Sequence, residues 1–179
     1  MDKKKTVRAR SNIAGILAVL WMMVIFFFSA QDKEESGAVS ESFSDHIVST
    51  AGRLLHLDID EERLHEIALA IEGFVRKGAH MTEYAILADL LYVWAARWQT
   101  GRMRQYCMAT VLAVLYACSD EFHQLFVAGR AGRISDVIVD GAGAILGLAF
   151  FLLIQSGIMR WCEKKRRRQM EIQTNEKRG

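Results

Sequence analysis

Long apolar runs alternate with short polar stretches along most of the chain. Four segments are long and apolar enough to be interpreted as membrane spans, at about residues 13–30, 78–98, 106–127 and 134–158. A helix rises about 1.5 Å per residue, so about 20 residues cross the roughly 30 Å hydrocarbon core of a bilayer. The pattern therefore predicts an all-α fold, a bundle of four transmembrane helices within a membrane domain of residues 12–158.

The ends and packing of these spans can also be predicted. The first span is interpreted as an uncleaved signal anchor, because bulky Phe28 stands where a cleavage site after Ala30 would need a small residue. In the fourth span, Gly143 and Gly147 have the small-xxx-small spacing that lets two helices approach closely.

The segment 31–75, between the first and second predicted spans, is acidic and only weakly apolar. Apolar residues recur at helical spacing in two stretches of it, 47–55 and 64–71. Two short amphipathic helices are predicted there, with a break at 57–60 and with Asp60 as the cap of the second helix. A solvated connecting loop is the alternative, since an acidic face also suits plain solvation.

The net charge of +2 is small, but Lys and Arg residues are distributed unevenly. They cluster before the first span, at 97–104, and in the tail 159–179. The positive-inside rule places these parts in the cytoplasm, so both termini are predicted to be cytoplasmic and 31–75 extracytoplasmic. The basic tail is interpreted as a topology determinant that could also touch anionic lipid. Nucleic-acid binding is not expected, because the tail lacks interleaved aromatic residues.

Charged residues of three predicted spans reach a similar depth under the outer surface. With this topology His80 lies about 5 Å deep, Asp140 about 6 Å and Asp120 about 9 Å. Lipid disfavours exposed charge, so these side chains are expected to point into the bundle and form one site. Unpaired buried ions cost several kcal/mol, so Arg76 or Lys77 is expected near a carboxylate of this group.

The candidate site residues fall into two classes. Those that could act as general acids or bases are His80, Glu83, Asp120, Glu121 and His123. Those that could bind a ligand are Arg76, Lys77, Tyr84, Gln124, Arg130, Arg133, Asp136 and Asp140. The connection 128–133 combines glycines with arginines, and such backbone N–H groups and guanidinium groups suit phosphate or carboxylate.

Several of these residues stand in recognisable motifs. They are Arg76-Lys-Gly-Ala-His-Met-Thr-Glu-Tyr84, Ser119-Asp-Glu-Phe-His-Gln-Leu-Phe-Val127, Gly129-Arg130, Asp136-Val-Ile-Val-Asp-Gly141 and Phe28-Ser-Ala-Gln31. Over about 28–150 the chain resembles the VanZ-like family of bacterial integral membrane proteins, although Ala128 replaces the proline usual before Gly-Arg. The family is named after a teicoplanin-resistance protein. The resemblance implies a multi-pass protein of the cytoplasmic membrane with a role in the cell envelope or in glycopeptide antibiotic resistance.

Three kinds of function remain open. The chain could be an enzyme that acts on a membrane lipid or a lipid-linked wall precursor. It could be a non-catalytic membrane protein that binds a lipid, a precursor or an antibiotic. The charges could also form a purely structural network. The same His and carboxylate groups could hold a divalent metal ion, but no metal-hydrolase signature, nucleophile elbow, phosphate-binding loop or cofactor fingerprint is present.

Overall fold

A computed structural model describes residues 3–56, 59–98 and 100–176. The described chain contains five α-helices and a short 3-10 turn at Ala96–Trp98, and it contains no strand. The helices are α1 (Lys3–Ser29), α2 (Lys33–Leu54), α3 (Glu61–Ala95), α4 (Arg102–Gln124) and α5 (Ile134–Glu176). The prediction of an all-α fold is confirmed.

Helix α3 lies at the centre and packs against each of the other four helices. Its inner face buries Tyr84, Leu87 and Ala88 completely. The contact with α5 is close, because a Cβ atom added at Gly143 would lie 2.4 Å from the Met81 carbonyl oxygen. The predicted close approach along the small-residue face of α5 is thereby confirmed.

Replacing Gly143 with valine should therefore destabilise the fold. The added side chain would force α5 away from α3, and overpacking of this kind costs about 1–3 kcal/mol. A thermal melt of the purified protein measures the loss. Gly157→Val is the matched control, since a Cβ at Gly157 meets no atom within 4 Å. Equal melting temperatures for the two variants would contradict the close contact.

The segment 31–75 forms a helical hairpin from α2 and the first half of α3. His65 bridges the two helices, with its Nδ1 atom 2.9 Å from Asp45 and its Nε2 atom 3.9 Å from Glu41. The hydrogen bond to Asp45, and the charge of that carboxylate, raise the pKa of His65. Nearer the bundle, the Arg76 Nε atom donates a long hydrogen bond of 3.4 Å to Ser40.

Two boundaries of this segment differ from the prediction. Helix α2 begins at Lys33, fourteen residues before the predicted stretch 47–55, so it is not a short helix. The second amphipathic helix and the second span are a single helix, α3, about 52 Å long at 1.5 Å per residue. The charged stretch 72–77 interrupts the apolar pattern without breaking the backbone, because the chain contains no proline. Leu57 and Asp58 of the predicted break lie outside the described residues. The predicted cap is confirmed, since Asp60 accepts a hydrogen bond from the Arg63 N–H group at 2.8 Å.

The last two helices also differ from the predicted spans. Helix α4 ends at Gln124, three residues before the predicted end, and a turn follows. Helix α5 continues through the basic tail to Glu176 instead of ending near residue 158. The tail is rich in Lys, Arg, Gln and Glu, which favour helix, and nothing after Gly157 interrupts it.

Two helices of the described chain are long and apolar enough to cross a membrane, at Lys4–Ser29 and Ile134–Glu171. Helices α3 and α4 do not meet the same criterion, because ionisable residues interrupt their apolar runs. Large apolar side chains are exposed on several helices, including Phe27, Phe122 and Phe150. Such a surface is unfavourable in water and is typical of a membrane protein.

Candidate functional site

A cavity of about 400 Å³ lies where α2, α3, α4 and α5 meet the connection 125–133. The size is in the range of small-molecule sites. Its charged lining comes from three helices and the connection, and consists of Arg76, Lys77, His80, Glu121, Arg130, Arg133, Asp136 and Asp140. Gln124, Ser36 and Ser135 add uncharged polar groups. A cavity so rich in charge can bind a ligand that carries both an anionic group and hydrogen-bond donors.

The connection 125–133 is held close to the bundle by its backbone. The Arg133 N–H group donates a hydrogen bond of 2.8 Å to the Glu121 carboxylate. Gly132 passes so close that an added Cβ would lie 2.3 Å from the Glu121 carbonyl oxygen. Gly129 has a φ of 72°, which glycine adopts without strain. These contacts fix the backbone and leave the two arginine side chains directed at the cavity or its rim.

A buried hydrogen-bond network lies behind Gln124. The Gln124 side-chain amide donates to Ser29 of α1 at 3.0 Å and to the Asp120 carboxylate at 3.4 Å. Asp120 is 3% exposed, and its Oδ1 atom has no hydrogen-bond partner among the described residues. Buried polar atoms are normally hydrogen-bonded, so an unsatisfied carboxylate oxygen here calls for a functional explanation.

Three further polar groups on α3 lack partners within the described chain, the His80 Nδ1 atom, the Tyr84 hydroxyl and, farther along the helix, the Asp89 Oδ1 atom. The nearest carboxylate to His80 is that of Glu83 at 3.7 Å, which is too long for a hydrogen bond. The Glu83 carbonyl, in contrast, accepts a hydrogen bond of 2.9 Å from Trp21 and so ties α1 to α3. Four of the six unsatisfied buried side-chain atoms in the described chain therefore belong to candidate site residues, those of His80, Tyr84, Asp120 and His123, and the other two belong to Asp89 and Thr110.

The structure brings most of the candidate residues into one wall. The nine that line the cavity are Arg76, Lys77, His80, Glu121, Gln124, Arg130, Arg133, Asp136 and Asp140. The four that do not are Glu83, Tyr84, Asp120 and His123. The His123 ring instead packs 4.5 Å from the Phe26 ring of α1.

Some contacts of the site were not expected from the sequence. Ser36 joins the wall because α2 folds back over α3, and sequence spacing carries no signal of that placement. Ser135 is adjacent to a recognised motif, and its hydroxyl contacts Asp136 at 3.2 Å. The sequence predicted an ion pair between Arg76 or Lys77 and a carboxylate of the site. Arg76 instead forms its ion pair with Glu72, one turn earlier in α3.

Metal-ligand geometry occurs elsewhere in the described chain. The one group of three ligand side chains with all donor atoms within 4.8 Å of one another is Glu41, Asp45 and His65. This group belongs to the α2–α3 hairpin, and His65 lies about 16 Å along α3 from Arg76. The acid and base groups of the cavity do not form such a cluster among the described residues.

A model of the VanZ/LLP1 family matches residues 14–155. The chain belongs to the VanZ/LLP1 family. The resemblance seen in the sequence motifs is thereby confirmed, and the VanZ/LLP1 match includes every residue that lines the cavity. No curated protein and no solved structure matches the chain significantly.

Proposed function

We propose that the chain is a four-span protein of the bacterial cytoplasmic membrane with both termini in the cytoplasm. Besides α1 and α5, the spans would be α4 and the part of α3 that follows Arg76. Helix α4 has 23 residues, about 35 Å, which is long enough to cross. Its ionisable residues Asp120 and Glu121 are buried in the bundle, so they do not prevent insertion. The basic N-terminal arm, linker and tail then share one side.

Cysteine labelling tests this topology in a background where Cys107, Cys118 and Cys162 are replaced, since all three are exposed. Ser42→Cys, on the exposed face of α2, should react with a membrane-impermeant maleimide in intact cells. Thr100→Cys should react only after permeabilisation. The reverse labelling pattern would contradict the proposed orientation.

The proposed function of the cavity is to bind the anionic headgroup of a membrane lipid or lipid-linked cell-wall precursor. One observation carries the proposal. The cavity holds four cationic and three carboxylate side chains, yet no ion pair joins the two sets among the described residues. Two of the carboxylates, Glu121 and Asp140, are buried, and a purely structural network would pair them with the cations, because unpaired buried charge is unfavourable. A ligand with a phosphate and hydroxyl or amine donors would satisfy both sets.

The same cavity has groups for chemistry on such a ligand. His80 and the carboxylates Glu121, Asp136 and Asp140 could accept or donate a proton, while Arg130 could stabilise developing negative charge. The two alternatives, an enzyme and a non-catalytic binding protein, would use the same ligand site. They differ only in whether the bound ligand is converted. Family membership is consistent with a role in the cell envelope and in glycopeptide resistance, including resistance to teicoplanin.

Mass spectrometry of the purified protein tests the ligand class directly. We expect about one lipid with an anionic headgroup, or one lipid-linked precursor, per chain in addition to loosely bound lipid. Conversion of that ligand during incubation would identify an enzyme, and its unchanged recovery would identify a binding protein. If only zwitterionic lipids co-purify, the proposed cavity ligand is wrong.

A further inference from the structure

A second groove lies at the other end of the bundle and is mainly apolar. It has a volume of about 760 Å³ and runs between α1, α3 and α4. Val19 of α1, Leu91 of α3 and Leu112 of α4 form parts of its wall. The groove exists because α1 packs along α3 and barely touches α4. It is separate from the polar cavity, since Trp94 in its wall lies about 27 Å along α3 from Arg76.

The two ends of this groove have different chemistry. At one end the Tyr116 hydroxyl donates a hydrogen bond of 2.5 Å to the carbonyl of Met22, a lining residue, and so joins α4 to α1. The other end carries Asn12 and Arg97. From Asn12 to Met22 the α1 wall is about 15 Å long, which is half the hydrocarbon thickness of a bilayer. The groove thus has the length of one lipid leaflet.

The polar end is positively charged and aromatic. The Arg97 guanidinium lies 5.4 Å from the centre of the Trp98 ring and makes no ion pair among the described residues. Arg8 and Arg10 precede Asn12 on α1. Trp94 leans onto α1 so closely that a Cβ at Gly15 would lie 2.5 Å from its ring. Tryptophan and arginine are typical of the membrane–water interface.

We infer that this groove binds one acyl chain of an anionic glycerophospholipid of the cytoplasmic leaflet, with the lipid phosphate at Arg97. The apolar wall fits the chain, its length matches one leaflet, and the unpaired guanidinium complements the phosphate. Basic residues between membrane helices on the cytoplasmic side commonly hold such headgroups. The inference uses the proposed topology only to choose the leaflet. It is independent of the ligand proposed for the polar cavity.

Native mass spectrometry of the full chain in detergent, with added phosphatidylglycerol or phosphatidylcholine, tests the charged end. Arg97→Gln should lower retention of phosphatidylglycerol about fivefold relative to phosphatidylcholine, as expected for one basic residue near an anionic headgroup. Arg102→Gln is the matched control, because Arg102 is exposed at the start of α4, five residues after Arg97, but does not line the groove. Equal selectivity in the two variants would overturn the headgroup assignment.

Filling the groove tests the apolar part. Val19→Trp and Leu112→Trp should each reduce retention of both lipids, whereas Val111→Trp, on the exposed face of α4, should not. Unchanged lipid retention in both filled variants would overturn the acyl-chain site. The site would also be overturned if the unmodified protein is a dimer and these variants are monomers, because a second copy of the chain would then occupy the groove. If neither filled variant folds, Arg97→Gln decides the inference. If Thr100→Cys is labelled from outside the cell, the proposed topology is wrong and the lipid site is assigned to the other leaflet. That result is separate from the tests of the groove itself.

Discussion

Arg130→Gln should leave the protein folded and abolish its function. Arg130 lies in the connection 125–133, and its side chain makes one long hydrogen bond of 3.4 Å to the Phe28 carbonyl and no ion pair among the described residues. A partly exposed contact of this kind contributes only about 0–1 kcal/mol to stability. Glutamine keeps an uncharged N–H donor on a shorter side chain and removes the charge that would hold an anionic headgroup.

We expect at least a tenfold loss of bound anionic ligand, since a charge-assisted hydrogen bond contributes about 1.5–3 kcal/mol. The readouts are ligand retention by mass spectrometry and a teicoplanin-susceptibility assay of cells that express the protein, which tests the proposed role in resistance. Abundance in the membrane and melting temperature should match the unmodified chain.

Arg53→Gln is the control for this substitution, because Arg53 is an exposed arginine of α2 outside the cavity. It should change neither ligand retention nor resistance. An Arg130→Gln protein with full retention and full resistance would remove Arg130 from the site. A protein that no longer accumulates would instead favour a structural role.

The fold was predictable where the apolar pattern was regular. The predicted helix 106–127 matches α4 within four residues at each end, and the predicted end of the first helix matches the end of α1 within one residue, although α1 begins ten residues earlier, at Lys3. The cap at Asp60 was predicted from its residue type. The continuity of α3 was not predictable, because the charged stretch 72–77 resembles a boundary between two helices in the sequence. Gly73 and Gly78 cost only about 1 kcal/mol each inside a helix, and packing against α2 and α5 compensates for them.

The site was predictable to the extent that depth and helix face define it. Matching depths grouped His80, Asp140 and Asp120. The first two line the cavity, whereas Asp120 lies behind Gln124, to which it is hydrogen-bonded. A helix face is a coarser guide, because positions 120, 123 and 124 spread over about 100° of α4. This part of the α4 surface faces both α1 and the cavity. His123 therefore packs on α1, while Gln124 lines the cavity.

Asp120→Asn should separate structure from function most sharply. Asp120 is buried and has no ion pair, and one of its carboxylate oxygens lacks a hydrogen-bond partner among the described residues. Replacing it with the near-isosteric amide therefore breaks no salt bridge and removes an unfavourable buried charge. The stability of the fold should stay the same or increase.

Function should fall by about 100-fold if the carboxylate acts as a general base or positions the ligand through Gln124. Asp89→Asn is the matched control. Asp89 is a second carboxylate with a buried, unpartnered oxygen, but it lies on α3 away from the cavity. Its substitution should leave ligand retention and resistance unchanged.

The comparison of the two aspartate variants decides between the site and the structural network. A network that uses Asp120 as a buried partner predicts a loss of about 3–5 kcal/mol on removal of its charge, and hence little folded protein. A functional site predicts normal melting with lost ligand retention and lost resistance. Normal melting with full activity in both variants would contradict any functional role of Asp120. The polar cavity would then have to act through its own lining residues alone, beginning with His80 and Arg130.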